Sequence, residues 1–253
     1  MEVINIILFF LVGAILSSFY GVASTRIPEG KSIIKPRSHC SSCNHELAWK
    51  DLIPIFSFLI LKGKCRYCQK SLPIYEPILE LSMGIFFALA YYYYGFSYNL
   101  WISLLILSLI DLIFVSDFLY MIILDSPLVI TSILTFILNL IYFDFNKAIY
   151  SLISGFVLFA FMILVGYIGK LLFKREALGG GDIKLSFVVG LILGIPHAFM
   201  ALVLSTFLAL PYATYSIFSK TSREVAFGPF IIGALAIVFF YYDKFSYILR
   251  LFS

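Results

Sequence analysis

The chain has 253 residues, of which 62% are hydrophobic and 13% carry a charge, and its mean hydropathy is +1.01. Because a soluble domain carries about a quarter charged residues, this composition excludes an ordinary soluble protein and indicates a polytopic membrane protein. The formal net charge of +4 is explained by basic loops on one side of a membrane, so no nucleic-acid partner is expected.

Apolar segments long enough to cross a bilayer recur along the chain. We expect about eight transmembrane helices, with seven as the alternative, because the sixth segment is short and ends at Pro196. The predicted fold class is therefore an all-α polytopic membrane protein with a small zinc-binding loop domain in the cytoplasm. The expected segments are residues 4–22, 78–95, 100–116, 122–143, 148–173, 183–195, 198–218 and 226–242.

The distribution of Lys and Arg predicts the orientation in the cell membrane. With the N-terminus outside, all but Lys147, Lys244 and Arg250 of the 18 Lys and Arg lie on the cytoplasmic side. The first span opens with Glu2 and has no preceding basic region, so it is not expected to be a cleaved signal peptide. The predicted organisation is a first transmembrane helix at 1–22, a cytoplasmic loop with four cysteines at 23–76, and a transmembrane core at 77–253.

All four cysteines of the chain lie in that loop, as the Cys-x-x-Cys pairs Cys40/Cys43 and Cys65/Cys68. Each pair can place two thiolates on one side of a tight turn, and two pairs complete a tetrahedral zinc site. Disulfides are disfavoured in the cytoplasm, so we expect a structural zinc ion with no open coordination position. The alternative is four reduced thiols without a metal. The nearby basic residues Arg37, Lys64 and Arg66 could offset the charge of four thiolates.

Three glycines, Gly179, Gly180 and Gly181, precede Asp182 between two apolar segments. An ionisable residue at a membrane boundary is expensive, so it is a functional-site hypothesis by default. Lys184 follows the acid, and glycine lets the backbone before it leave helical geometry and approach other groups closely. This stretch is therefore the first candidate for an active site.

Three further acids, Asp111, Asp117 and Asp125, lie in and after the third predicted span. Asp117 is at the same predicted membrane edge as Asp182, whereas Asp111 lies deeper and on roughly the opposite helix face. Asp117 and Asp125 are eight residues apart and would share a face if the helix continued. The alternative for these two is a solvated pair of loop residues. Glu80, about one turn into the second span, is either functional or an interfacial carboxylate pointing to water.

Two carboxyl groups at one membrane depth suit acid–base hydrolysis of a peptide. One ionised Asp can activate a water molecule, and the other, protonated, can polarise the carbonyl group. Like charges held close together cannot both ionise, so such a pair shares a proton. Asp117 and Asp182 are the candidate pair, and the helix break at Gly228-Pro229 lies on the same predicted side and could help line the site.

These features together resemble the prepilin peptidases of type IV pili, type II secretion and competence systems, which are intramembrane aspartic proteases of the GxGD type. Six segments carry the resemblance, in order along nearly the whole chain: residues 18–28, the four cysteines, and residues 77–80, 117–125, 179–185 and 226–230. The sequence departs from the family pattern at Gly21, Glu76 and Leu124, none of which replaces a catalytic acid. The short loop resembles the competence branch found in Gram-positive bacteria.

The resemblance implies that Asp117 and Asp182 are catalytic, with Gly179, Gly180, Gly181, Lys184, Gly228 and Pro229 supporting the substrate or the loop. It implies prepilins or pilin-like proteins as membrane-embedded substrates, cut after the glycine that ends a short basic leader. Many members also methylate the new N-terminal residue with S-adenosylmethionine, so this cofactor is implied for a second activity. The other expected partner is the lipid bilayer, and no feature indicates an oligomeric state.

Three alternatives stay open from the residues alone. A relative that processes archaeal-type preflagellins would lack the cysteine loop. A non-enzymatic zinc-binding membrane scaffold would keep its function when Asp182 is changed to Asn. A proton-coupled transporter would use Asp111, Asp117 and Asp182 as a relay and would be expected to contain an inverted repeat, which the sequence does not display.

Overall fold

The computed structural model describes residues 1–40, 42–174, 178–219 and 226–251. Within these ranges the chain is helical apart from its connections and two isolated β-bridges, which confirms the all-α fold class. A short 3-10 helix lies at Trp49–Asp51. The α-helices are α1 (Glu2–Arg26), α2 (Phe56–Ile60), α3 (Tyr75–Tyr94), α4 (Tyr98–Tyr120), α5 (Asp125–Tyr142), α6 (Phe145–Phe173), α7 (Gly180–Leu193), α8 (Ile195–Ser219), α9 (Gly228–Phe240) and α10 (Tyr242–Leu251).

The chain forms two compact units, Met1–Leu100 and Trp101–Ser253. In the first unit α3 packs along α1, so this helix groups with the N-terminal helix and the cysteine loop. The predicted three-part division at 1–22, 23–76 and 77–253 stays a prediction.

Small residues allow α1 and α3 to approach closely. A Cβ atom added at Gly13 would lie 2.6 Å from the backbone oxygen of Met83, and one at Gly84 would lie 2.8 Å from the Phe10 ring. Near the other end of the pair, the Asn5 side chain donates a hydrogen bond of 2.7 Å to the Tyr91 hydroxyl. Close backbone approach and a side-chain hydrogen bond are the usual means of pairing helices in lipid.

In the second unit α7 is the central helix and contacts α5, α6, α8 and α9. It lies against α6 at facing glycines: a Cβ atom at Gly190 would be 2.5 Å from the Ser154 backbone oxygen, and one at Gly155 would be 2.9 Å from the Phe187 backbone oxygen. Four neighbouring helices therefore contact α7, which carries Asp182 in its first turn.

The predicted count of eight transmembrane helices is not confirmed. Among the described residues, five helices are long and apolar enough to cross a membrane, namely α1, α4, α5, α6 and α8, or six if the bent pair α9 and α10 forms one span. The sixth predicted segment corresponds to α7, which has only 14 residues. The axis turns by 86° between α9 and α10, so the last predicted span ends at this bend and the chain continues as a separate helix.

Candidate active site and cysteine cluster

Asp117 lies in the last turn of α4. The backbone N–H of Met121 donates to the Asp117 carbonyl oxygen at 3.0 Å, and Met121 has a positive φ of 54° that ends the helix. Leu124 is extended, and α5 begins at Asp125. Asp117 and Asp125 therefore lie on different helices. They would have shared a helix face only if α4 had continued to Asp125, and it does not.

The Asp117 carboxyl group is buried, with 5% of the residue exposed. Its Oδ2 atom accepts a hydrogen bond of 3.1 Å from the backbone N–H of Gly228, the first residue of α9. Pro229 follows in the first turn of that helix, where a missing N–H costs no intrahelical hydrogen bond. A Cβ atom at Gly228 would lie only 2.7 Å from Asp117 Oδ2, so this contact depends on glycine.

Asp182 lies in the first turn of α7 and is also buried, with 9% of the residue exposed. The backbone of Gly179, the residue that caps α7, hydrogen-bonds to its carboxyl group. The approach is close, because a Cβ atom at Gly179 would lie 3.0 Å from Asp182 Oδ2. The carboxyl group is thus held at the start of its own helix.

Ile123 joins the two acidic regions. A Cβ atom at Gly181 would lie 2.8 Å from Ile123 Cβ, and one at Gly228 would lie 2.8 Å from Ile123 Cδ1. The starts of α7 and α9 therefore meet on one isoleucine side chain beside the end of α4. Asp117 is close enough for its charge to act on Asp182. Sequence reasoning missed Ile123, for which the only signal is its place between two acids.

Lys184 and Asp125 form an ion pair across the first turns of α7 and α5. The Lys184 ammonium group lies 2.7 Å from Oδ1 and 2.8 Å from Oδ2 of Asp125. Both side chains are more than half exposed, and such pairs contribute little to stability. Asp111, the third acid of this region, is buried earlier in α4.

An apolar groove of about 380 Å³ begins at this ion pair. It runs between α5, α6 and α7 and is lined by side chains that include Leu128, Ile133, Phe156 and Phe187. Its polar end is formed by Lys184 and Asp125, while the remainder of its lining is almost entirely hydrocarbon.

The two cysteine pairs form a structural repeat. In each turn, the N–H of the first cysteine donates to a carbonyl oxygen five residues later, and the N–H of the residue four positions later donates back to the cysteine carbonyl oxygen. That fourth residue, Asn44 in one turn and Gln69 in the other, has a positive φ of 56° or 59°. A β-bridge closes each turn, His39–Glu46 and Lys64–Ser71.

The four sulfur atoms lie within 4.8 Å of one another. The Sγ atoms of Cys40 and Cys68 are 3.9 Å apart, close to the separation of about 3.8 Å that tetrahedral coordination with Zn–S bonds of about 2.3 Å requires. All four cysteines are free thiols. Hydrogen bonds from the backbone N–H groups of Ser42 and Cys43 lower the pKa of the Cys40 thiol to about 6, which favours the thiolate form. The cluster could hold a metal ion.

Arg66, expected to offset the thiolate charge, is paired with Asp51 instead. Its Nε atom lies 2.7 Å from Asp51 Oδ1, and the Tyr67 hydroxyl donates to Asp51 Oδ2 at 3.4 Å. Burial raises the pKa of Asp51, but the hydrogen bonds from Arg66 and from the Ala48 N–H outweigh this, so its pKa lies below its ordinary value. Sequence reasoning missed this pair, which ties the 3-10 helix to the second cysteine turn.

Glu80 holds the cysteine loop to α3. Its Oε2 atom accepts a hydrogen bond of 2.7 Å from the backbone N–H of Ile55, and it also hydrogen-bonds to the Ser18 side chain on α1. Ile55 has a positive φ of 64°, which is unfavourable for a β-branched residue. The carboxylate therefore stabilises a strained turn just before α2.

Comparison with known proteins finds two family models that together match most of the chain. The bacterial peptidase A24 N-terminal domain matches residues 11–94, and the type IV leader peptidase family matches residues 100–214. No solved structure matches the chain significantly.

Among curated proteins, the similar ones include three prepilin leader peptidase/N-methyltransferases. That of Vibrio cholerae is 32% identical over 95% of this chain and 98% of its own length. That of Bacillus subtilis is 31% identical over 93% of this chain and 94% of its own length. That of Klebsiella pneumoniae is 32% identical over 73% of this chain and 83% of its own length.

Proposed function

The chain belongs to the type IV leader peptidase family, and from this premise we propose that Asp117 and Asp182 are the catalytic pair that removes the leader of prepilins or pilin-like proteins. The observation that carries the proposal is the convergence of the two buried carboxyl groups beside Ile123, where Asp117 is close enough to act electrostatically on Asp182. The relatives named above are prepilin leader peptidases, which supplies the substrate class.

In the proposed reaction the ionised carboxylate of the pair takes a proton from a water molecule. The resulting hydroxide adds to the carbonyl carbon of the leader's last glycine, while the protonated carboxyl group donates to the carbonyl oxygen. The tetrahedral intermediate then breaks its C–N bond, and the leaving amine takes up the proton that the first carboxylate removed from water. The other carboxylate recovers its proton from a hydroxyl group of the intermediate, which becomes the new carboxyl end of the leader. Sharing one proton between the acids supplies both forms at once.

The backbone around Asp182 suits an extended peptide. A Cβ atom at Gly180 would meet no atom within 4 Å, so there is free space beside the backbone two residues before the acid. The apolar groove that begins at Lys184 and Asp125 would take the apolar helix that follows the cleavage site. In this proposal the apolar helix of the substrate lies in the groove while its cleavage site lies at the carboxyl pair.

We place the reaction at the cytoplasmic face, with the N-terminus outside. This proposal rests on the Lys and Arg residues, most of which lie in the loops on the side of the membrane where Asp117 and Asp182 are predicted to lie. A substrate with a basic leader on the same side would present its cleavage site at this depth.

The cysteine cluster is proposed to bind one structural zinc ion through Cys40, Cys43, Cys65 and Cys68. The sulfur geometry fits a closed tetrahedral site, so the metal would stabilise the loop and take no part in hydrolysis. N-methylation by S-adenosylmethionine is the second candidate activity, which the double names of the relatives favour. A mature product that carries one extra methylene mass would reveal it.

The test is a cleavage assay in membranes with a pilin-like substrate whose leader ends in glycine. Wild type, Asp117→Asn, Asp182→Asn and the matched control Asp111→Asn would be co-expressed with the substrate, and loss of the leader followed by mass. Asn keeps the size of Asp and removes the acid. We expect the Asp117 and Asp182 variants to lose cleavage and the Asp111 variant to retain it.

If both the Asp117→Asn and the Asp182→Asn variants still cleave, the aspartic-protease mechanism is wrong. The acids would then have a structural role or belong to a transport path, as in the scaffold and transporter alternatives. Loss of cleavage in the Asp111 variant at normal membrane levels would instead extend the catalytic group beyond the pair.

A further inference from the structure

Between the two cysteine pairs lies a run of ten residues, 52–61, that contains no charged side chain. Its sequence is Leu-Ile-Pro-Ile-Phe-Ser-Phe-Leu-Ile-Leu, and we refer to it as the apolar finger. Charged residues flank it on both sides, with Lys50 and Asp51 before it and Lys62 and Lys64 after it. Such a run is unusual in a loop that is expected to face water.

The apolar finger displays its hydrophobic side chains on one face of α2. Phe56, Leu59 and Ile60 are 54%, 64% and 73% exposed, and their spacing places them on the same side of a helix. Phe58 points elsewhere, since its ring lies 3.0 Å from the position that a Cβ atom at Gly63 would take. The exposed face is therefore held in place by packing and is not a collapsed loop.

The apolar finger is attached to α3 at a defined level. The N–H of Ile55 donates to Glu80 Oε2 at 2.7 Å, and Glu80 is five residues after the start of α3 at Tyr75. At 1.5 Å per residue this is about 7–8 Å along the helix. Because the sequence predicts a span that begins at residue 78, Ile55 lies level with the first turn of the part of α3 that is predicted to enter the membrane.

The flanks of the apolar finger carry the groups that favour a membrane interface. Trp49 is 75% exposed, and Lys50, Lys62 and Lys64 are exposed beside it. Tryptophan rings concentrate at the level of lipid head groups, and lysines near the surface are attracted to anionic lipids. The apolar run is thus flanked in sequence by a tryptophan and by lysines, the residue types that favour a bilayer surface.

We infer that the apolar finger inserts into the interfacial layer of the lipid bilayer beside α3 and anchors the cysteine loop to the membrane surface. The occupant of the exposed face of α2 is therefore lipid, with Phe56, Leu59 and Ile60 at the acyl-chain boundary. Glu80 sets the depth, and the lysines contact lipid phosphates. This inference is independent of the proposed catalytic pair.

The test places a single tryptophan on the apolar finger of the full-length protein in vesicles of phosphatidylcholine and phosphatidylglycerol. Trp49→Phe and Trp101→Phe remove the native fluorophores, and Leu59→Trp adds the probe. The matched control carries Glu46→Trp, an exposed position in the first cysteine turn. We expect brominated phosphatidylcholine to quench most of the Leu59→Trp emission, which would also be blue-shifted, and to leave the control emission nearly unchanged.

The inference is overturned if the Leu59→Trp probe emits like a water-exposed tryptophan and is quenched no more by brominated lipid than the control. That result would leave a protein partner, such as substrate, as the occupant. A second measurement guards against misfolding and uses a variant that combines Phe56→Ser, Leu59→Ser and Ile60→Ser. In vesicles this variant should be cleaved by trypsin at Lys50 and Lys62 faster than wild type. Its bound zinc should be retained, which would show that the loop is folded. Unchanged cleavage in that variant would also contradict the inference.

Discussion

The three glycines before Asp182 have different surroundings, and the differences explain the Gly-x-Gly-Asp pattern. Gly179 lies against the acid itself, and Gly181 lies against Ile123, where a Cβ atom would be 2.8 Å away. The middle glycine, Gly180, has no atom within 4 Å of its hypothetical Cβ. The constraint on the first and third positions is therefore one of space, and the second position is free to vary in size.

We predict that Gly181→Ala abolishes or strongly reduces cleavage whereas Gly180→Ala retains it. The added methyl group at 181 would collide with Ile123 Cβ and Cγ1, at 2.8 Å and 3.2 Å, and would push α7 away from the end of α4. Overpacking of this kind costs about 1–3 kcal/mol. Cleavage in membranes and thermal unfolding in detergent would measure both effects.

Gly180→Ala is the matched control, because it makes the same chemical change one residue away on the same helix turn. Equal activity of the two variants would show that contact with Ile123 does not position Asp182. If only Gly180→Ala loses cleavage, the substrate needs the free space beside Gly180. The distance between α7 and Ile123 would then not limit cleavage.

At the scale of residues, the sequence indicates the two acids and the glycines beside them, but not the isoleucine that Gly181 and Gly228 approach. Asp117 and Asp182 stand out because ionisable residues at a membrane edge are costly. Ile123 does not stand out, since an isoleucine in an apolar stretch has no signal of its own. Asp117 and Asp125 would share a face only if the helix continued, and it ends because Met121 adopts a positive φ, which the local sequence does not reveal.

Among the elements, the two cysteine turns are stabilised in the same way. Each has the same pair of backbone hydrogen bonds around its first cysteine, Cys40 or Cys65, and each ends in a β-bridge. The Cys-x-x-Cys spacing indicates the metal, but the repeat involves dissimilar residues at matching positions and therefore had to be found in three dimensions.

We predict that the purified protein contains about one zinc ion per chain, as expected for a four-thiolate site. Replacing Cys65 by Ser should remove most of the zinc, because its buried thiol is one of only four ligands. Ser71→Ala is the matched control, because Ser71 contributes to the same turn only through the backbone of its β-bridge. This substitution should leave the zinc bound. Metal content measured by elemental analysis distinguishes the two.

Zinc-free wild type with four thiols that react freely would support the metal-free alternative. Retention of zinc in Cys65→Ser would mean that another group replaces the thiolate. A zinc-free wild type would separate the loop's fold from metal binding, since the hydrogen bonds of the two turns would then have to hold the loop alone.

At the scale of the whole molecule, the predicted orientation depends on which helices cross. The helices α4 and α6 are long enough to span, but α7 at 1.5 Å per residue reaches only about 21 Å, against a hydrocarbon thickness of about 30 Å. Composition and periodicity identify α7 as apolar without showing that other helices surround it. Contacts with α5, α6, α8 and α9 can shield its ends from lipid, so a short helix can still connect the two faces.

We predict that alkaline phosphatase fused after Ser97, Asp144 or Gly194 is active, because these connections lie outside in the predicted topology, and that a fusion after Lys70 is inactive. The fusion after Gly194 is decisive, because only a full crossing by α7 carries that residue outside. An inactive Gly194 fusion beside an active Asp144 fusion would remove α7 from the spans and contradict the count of eight. An active one would mean that α7 begins at the cytoplasmic face, which is where Asp182 must lie to meet a basic leader.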